Sequence, residues 1–261
     1  MSANAAHTML KHLLLLTTAL LGCHALAADD VLIVADEFPA MEQLAAALKA
    51  EDAIPSRVVA QTNLPSHLTG FSAVIVYIHG NLQARTEQAL IEYTRDGGKL
   101  VLLHHSISSG KRKNAQWFRF LGITLPEGDV DQGGYKWIEP ATLDLVALEP
   151  SHFITTHNVP YPKQIDWRDE QTGDPVRRLP GFTLHESEVY LNHVFTEPRT
   201  LLLGLKYADP KSGRVWMQPH AGWVKAAARG WIVYLLPGHS TKDFEHPAYR
   251  RIVLNAVIWK P

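Results

Sequence analysis

Gly97-Gly98-Lys99-Leu100-Val101-Leu102-Leu103-His104-His105-Ser106 joins a glycine pair, a short aliphatic run and two histidines in one segment. Its apolar run is too short for a helix and opens behind a glycine pair, so it reads as a strand buried on both faces within a parallel sheet. In open α/β sheets ligands gather outside the carboxyl ends of the strands, which makes the histidines that follow candidates for a site. Strand alternation sends His104 and His105 to opposite sides, so His104 is favoured and His105 reads as structural.

On either side of this segment the same grammar repeats. Val31-Leu32-Ile33-Val34-Ala35 is a second buried strand with Asp36 at its end. Met41, Leu44, Ala45 and Leu48 follow at helical spacing. Ser56 to Ala60 reads as a short strand and Ala73 to Ile78 as a stronger one ending at His79-Gly80. Thr86 to Arg95 forms an amphipathic helix with Leu90 and Tyr93 inward, stopped by the glycine pair. This alternation predicts an α/β fold with a doubly wound, mostly parallel sheet. Trp231-Ile232-Val233-Tyr234-Leu235-Leu236 returns to the pattern near the end and runs into Gly238-His239, so His239 repeats the placement of His104. A closing helix carries Tyr249, Ile252, Val253, Ala256 and Trp259 on one face.

Between these parts the pattern loosens. Residues 126–198 hold eight prolines and many aromatics, among them Tyr135, Trp137, Trp167 and Tyr190. This region reads as an irregular, aromatic-rich insertion over the carboxyl edge, with short strands at Tyr135–Ile138 and Val189–Leu191.

The chain opens with Lys11 and His12 before Leu13-Leu14-Leu15-Leu16, followed by Ala25-Leu26-Ala27, the pattern of a secretory signal peptide over residues 1–27. Residues 28–261 then form a single domain that is periplasmic or secreted, with no integral membrane segment left after cleavage. The second choice is lipoprotein processing through Cys23. Cys23 is the only cysteine, so cleavage after Ala27 leaves no disulfide, zinc-thiolate site or cysteine nucleophile. With 25 basic and 26 acidic residues, and no basic stripe, nucleic acid is excluded as a partner.

Fourteen histidines and seven tryptophans supply proton-transfer groups, metal ligands and flat apolar surface. Most of them still read as ordinary surface or core residues, with His79 and His185 as bystanders and Trp137 and Trp223 leaning toward core.

Several segments together resemble the trehalose-utilisation (ThuA-like) family. Gly97 to His104 resembles its glycine-led strand ending in histidine, Ser151-His152-Phe153-Ile154-Thr155 its HPIT segment, and Glu186-Ser187-Glu188-Val189-Tyr190 its DELY segment. Pro219-His220-Ala221-Gly222-Trp223 is similar to its P-x-x-W, and Gly230 to His239 to its strand ending in LGH. Phe153, Ser187 and Trp231 depart from the family's proline, aspartate and arginine. The resemblance implies a class I glutamine amidotransferase-like (flavodoxin-like) sheet and a role with a small-molecule carbohydrate, in a route through 3-keto sugars. It implies His104, Glu188 and His239 as catalytic candidates, and His152, Tyr190, Asn192, His220 and Trp223 as substrate contacts.

No cysteine follows the central strand, so glutamine hydrolysis through a thioester is excluded. No G-x-G-x-x-G follows the first strand, where Asp36-Glu37-Phe38-Pro39 stands, so hydride transfer to nicotinamide is not expected. Elimination or isomerisation of a keto sugar needs a base, an acid and a group to hold the enolate oxygen, which histidines and a glutamate supply. A divalent metal held by the same residues is the less favoured reading, because the close ligand spacings that would mark one are absent. The alternatives are a non-catalytic sugar-binding module and a metal-dependent hydrolase of a glycoside or ester.

Overall fold

The structure is a computed structural model that describes residues 31–261. The leader expected over residues 1–27, Cys23 included, lies outside the described residues.

The order of elements bears out the alternation in the first half of the chain. β1 (Val31–Ala35), α1 (Phe38–Asp52), β2 (Ser56–Val59), β3 (Ala73–Tyr77), α2 (Ala84–Arg95) and β4 (Lys99–Leu103) follow one another, and α3 (Ala115–Leu121) closes this part. The second half is richer in strands. It runs β5 (Ile123–Thr124), β6 (Lys136–Ala147), α4 (Phe153–Thr156), β7 (Lys163–Trp167), β8 (Arg177–Leu191), β9 (Val194–Phe195), β10 (Thr200–Ala208), β11 (Val215–Ala227) and β12 (Gly230–Leu235). Helices α5 (Thr241–Glu245) and α6 (Pro247–Ile258) end the chain.

Ten strands form one sheet in the order β2-β1-β3-β4-β12-β11-β10-β6-β8-β7. The block β2-β1-β3-β4-β12 is parallel throughout. Its strands β1 and β3 are buried at every position, as runs of β-branched and aliphatic residues covered on both faces require. Chain direction across the sheet reverses between β1 and β3, since β2 lies outward on one side and β4 on the other.

The central strand enters through its glycines for two separate reasons. Gly97 adopts φ +110°, a left-handed conformation that carries no penalty without a side chain. At Gly98 a Cβ would lie 2.4 Å from the Tyr93 ring, so the close approach of α2 to β4 needs a bare backbone.

Residues 126–198 differ from the expected irregular insertion. They build β6, β7 and β8, which continue the sheet in antiparallel fashion. The strands expected at Tyr135–Ile138 and Val189–Leu191 are ends of β6 and β8, twelve and fifteen residues long. Register shifts around Ile138, Ala141 and Leu143 separate these ends from the regular ladder. The ends reach the β4 terminus, where Tyr190 touches His104.

Candidate functional site

The site grows from the point where β4 stops. Leu103 is its last residue, and His104–Ile107 turn at once into a single 3-10 turn. His104 takes φ +45°, a left-handed conformation that side chains other than glycine rarely adopt, and such strain tends to gather at functional sites. The turn ends strand alternation, which corrects the reading of His105 as pointing away. Both imidazoles face the same carboxylate, with ring centroids 4.1 Å apart.

That carboxylate is Glu188. Its Oε2 lies 2.9 Å from Nε2 of His104, 3.5 Å from Nε2 of His105 and 3.3 Å from Nδ1 of His239. Tyr190 donates its hydroxyl to the same oxygen at 3.0 Å. Glu188 and Tyr190 stand two apart on β8, so the two-residue period of a strand turns both to one side. Across the ladder Trp137 pairs with Tyr190. Glu139, two residues on from Trp137, accepts from Nε2 of His239 at 2.9 Å.

Partners behind the cluster fix its geometry. The Leu236 carbonyl accepts from Nδ1 of fully buried His104 at 2.6 Å. Buried Asp243 accepts from the backbone N–H groups of Gly238 and His239 at 3.1 and 2.9 Å, and from Ser187 Oγ at 2.7 Å. One side chain thus ties the turn after β12 to the strand that carries Glu188. Buried Lys111 donates to the carbonyls of Ile78, His79 and His105, holding the turns after β3 and β4 together.

Electrostatics follow from this packing. Burial works to raise the Glu188 carboxyl, but the imidazoles of His104, His105 and His239 around it hold it well below the usual carboxylate range. Burial pushes His105 down to about 3, with neighbouring His104 acting in the same direction. The Glu188 carboxylate beside His239 raises that imidazole above its ordinary value despite partial burial, and Glu139 adds to the effect. Burial raises the Tyr190 hydroxyl well above its ordinary value. The site therefore joins an ionised carboxylate, a neutral imidazole and a more readily protonated one.

These groups open on a cavity of about 340 Å³ lined by His105, Trp137, Glu139, Glu188, Tyr190 and His239. Trp137 is 51% exposed, so it is a wall of the cleft and not the core residue its type suggests. Of the residues singled out in the sequence, His104, Glu188, His239 and Tyr190 come together. His105, Glu139 and Trp137 complete the group. Period-two spacing from Trp137 to Glu139 was the available signal for two of them.

Four expected substrate contacts stand elsewhere. His152 caps α4, where its Nδ1 accepts from the Ile154 N–H at 3.2 Å, and it packs on Trp259 at the opposite end of the sheet. Asn192 builds a left-handed turn and donates to the carbonyls of Val130 and Gly134. His220 lies behind the cluster, its Nε2 donating to the Tyr190 carbonyl at 2.8 Å. Trp223 is fully buried against Tyr234 and Phe195. His79, expected as a bystander, stacks on His105 at 4.1 Å and borders the cavity.

The sequence profile of the family described as trehalose utilisation (ThuA) matches residues 30–260. The chain belongs to the ThuA family. Its fold is similar to that of a ThuA-like protein from Bacteroides uniformis (TM-score 0.60, 17% identity, 88% of this chain and 89% of that one). A cytoplasmic protein of Salmonella typhimurium LT2 is similar over 87% of this chain and 98% of its own, with TM-score 0.57 and 14% identity. The carbohydrate deacetylase Agd3 shares the fold at TM-score 0.52 and 11% identity, over 87% of this chain and 32% of that one. No curated protein matches the chain. Membership in the ThuA family points to a carbohydrate-related role, and no described helix is long and apolar enough to cross a membrane.

Proposed function

We propose that this ThuA-family chain is an exported enzyme that acts on a carbohydrate, cleaving or isomerising a 3-keto sugar or glycoside by proton transfer at His104, Glu188 and His239. The observation that carries this reading is the convergence of three imidazoles and a tyrosine hydroxyl on one Glu188 oxygen at the wall of a cleft. A keto group acidifies the neighbouring C–H, and its removal needs a base, an acid and a donor for the enolate oxygen. His239 faces the cleft between two carboxylates and is suited to carry the proton. Burial favours the neutral form of His105. Trp137 presents a flat apolar face to a sugar ring.

The same reading takes residues 28–261 as one domain on a doubly wound, class I glutamine amidotransferase-like sheet, released to the periplasm or medium after cleavage near Ala27. A binding module without catalysis has less support, because a polar cluster this buried is more than ring recognition requires. The test is turnover. The purified full chain is incubated with a panel of 3-keto disaccharides and the parent disaccharides. Loss of the keto sugar with the parents untouched is expected, and a panel left unchanged overturns the proposal.

A further inference from the structure

The hydrogen bonds around the cluster fix which ring nitrogens carry protons, and they leave lone pairs facing lone pairs. Nδ1 of His104 sits 2.6 Å from the Leu236 carbonyl oxygen, which can only accept, so Nδ1 holds the hydrogen. In the neutral ring Nε2 is then a bare lone pair, and it points at Glu188 Oε2 from 2.9 Å. His239 repeats the arrangement with its nitrogens exchanged. Nε2 donates to the Glu139 carboxylate, while buried Nδ1 lies 3.3 Å from Oε2 without hydrogen-bond alignment. Two acceptor nitrogens thus crowd an acceptor oxygen, and the Tyr190 hydroxyl, 3.2 Å from His104 Nε2 and 3.0 Å from Oε2, has a single hydrogen to share between them. Protonating both rings would relieve the contact only by placing two neighbouring imidazolium cations, one of them fully buried, against a single carboxylate.

A cation at the centre resolves the conflict. We infer that His104, His105, Glu188 and His239 bind a single divalent transition-metal ion through Nε2, Nε2, Oε2 and Nδ1. All four ligand atoms lie within 4.8 Å of one another. Ligand bonds of about 2.0–2.1 Å in a tetrahedral site place the ligand atoms roughly 3.3 Å apart. The distances from Glu188 Oε2 to the three nitrogens are 2.9, 3.5 and 3.3 Å. The outer partners also fit. Ligating histidines characteristically donate their second N–H to a carbonyl or carboxylate, as His104 does to Leu236 and His239 to Glu139. His105 lacks such a partner, since its Nδ1 is buried and unpaired, and is the least constrained ligand. Three imidazoles with one carboxylate suit zinc, manganese, cobalt or nickel and not calcium or magnesium. His105, Glu188 and His239 line the cleft, so an ion on them faces whatever enters it. The inference rests on the reading above only in taking this cleft as the place of chemistry. With the ion bound, His104, Glu188 and His239 hold the metal, so the proton transfer assigned to them above passes to Glu139 and Tyr190, which stay at the cleft.

Metal binding is measured without any sugar. The full chain, freed of any histidine tag, is stripped with chelator and titrated with Zn²⁺, Mn²⁺ and Co²⁺ by calorimetry. One ion per chain is expected for at least one of these metals. His239→Ala should weaken binding at least 100-fold, and Glu139→Gln about 10-fold through the lost outer bond. His239 is partly exposed, so its variant is the one suited to remaining folded, and circular dichroism checks that it has. A measurement on the unmodified sequence backs the variants: pulsed EPR of the Mn²⁺ or Co²⁺ form with ¹⁵N-histidine should register directly bound imidazole nitrogen. No binding of any of the three ions, or binding indifferent to His239→Ala and free of imidazole coupling, overturns the inference. Turnover of keto sugars by a chain that binds no ion would sink the metal site and spare the carbohydrate reading. A bound ion with no sugar turned over would do the reverse.

Discussion

Nε2 of His104 and Oε2 of Glu188 stand 2.9 Å apart although 84 positions separate them in the chain. The contact joins the end of the central parallel strand to the far end of an antiparallel one, so the two halves of the sheet meet at the site. Glu188→Gln removes the charge that three imidazoles face while keeping the side chain's shape. Turnover of a 3-keto disaccharide should fall by at least 100-fold, within the usual range for loss of a positioned acid–base group. Steady-state kinetics with the purified variant check this.

His104 is both strained and buried, so its substitutions should separate by backbone preference. His104→Ala leaves the Leu236 carbonyl unpaired and keeps a left-handed residue with a Cβ. His104→Gly leaves the same carbonyl unpaired but relieves the strain. The glycine variant should be the more stable by about 1 kcal/mol, a melting temperature higher by roughly 2–4 °C. Both should be inactive. Equal melting temperatures would mean that the φ of +45° stores no strain.

Acid should destabilise the fold through histidines that take no part in the cluster. Burial pushes His220 down to about 4 and His193 well below its ordinary value. As pH falls below about 6.5 the unfolded chain takes up protons that these folded imidazoles refuse, so stability drops as pH falls from 6.5 toward 4. Each histidine that stays neutral contributes about 1.4 kcal/mol per pH unit to the slope. Denaturant melts at a series of pH values should show the loss, and His220→Asn should flatten it by about one proton's worth.

Trp137→Ala should raise KM several-fold and leave kcat and the melting temperature nearly unchanged. The side chain is half exposed at the cleft, so its loss costs a binding surface and leaves the core intact. A variant that loses kcat at constant KM would place Trp137 in transition-state contact instead.

Asp243→Asn should cost both stability and activity. The carboxylate accepts from two backbone N–H groups and a serine hydroxyl in a buried place, and charge-assisted bonds of this kind contribute about 1.5–3 kcal/mol. The loss should lower the melting temperature by several degrees and let His239 drift from Glu188. Asp243 is thus a positioning residue. A kcat per folded molecule that falls while KM holds would separate this from a general loss of folding.

The legible parts of this chain were those governed by local rules. The buried strands β1, β3, β4 and β12 announced themselves as short aliphatic runs, and the strand-end rule drew attention to His104 and His239. Alternation failed at His105 because β4 stops one residue before His104, and a strand's end is set by the turn that follows it. The antiparallel strands β6 and β8 were hidden by Pro140 and Pro180 and by register shifts that break the apolar rhythm. Glu139 meets His239 a hundred positions away, and Asp243 joins its own turn to Ser187 across 56 positions, links that no local pattern encodes. His152, Trp223 and Asn192 carry motif-like surroundings in the sequence, yet they serve a helix cap, a core and a turn.

Proton transfer at the carbon beside a sugar carbonyl is the step proposed for the Glu188 cluster, and hydrogen exchange reads it directly. A 3-keto disaccharide is held with the full chain in D₂O and followed by NMR. The wild-type chain should wash deuterium into the carbon next to the keto group far faster than buffer does, and Glu188→Gln should return the rate to that of buffer. Exchange at the buffer rate with the wild-type chain, whether or not the keto sugar binds, would rule out proton transfer by this cluster.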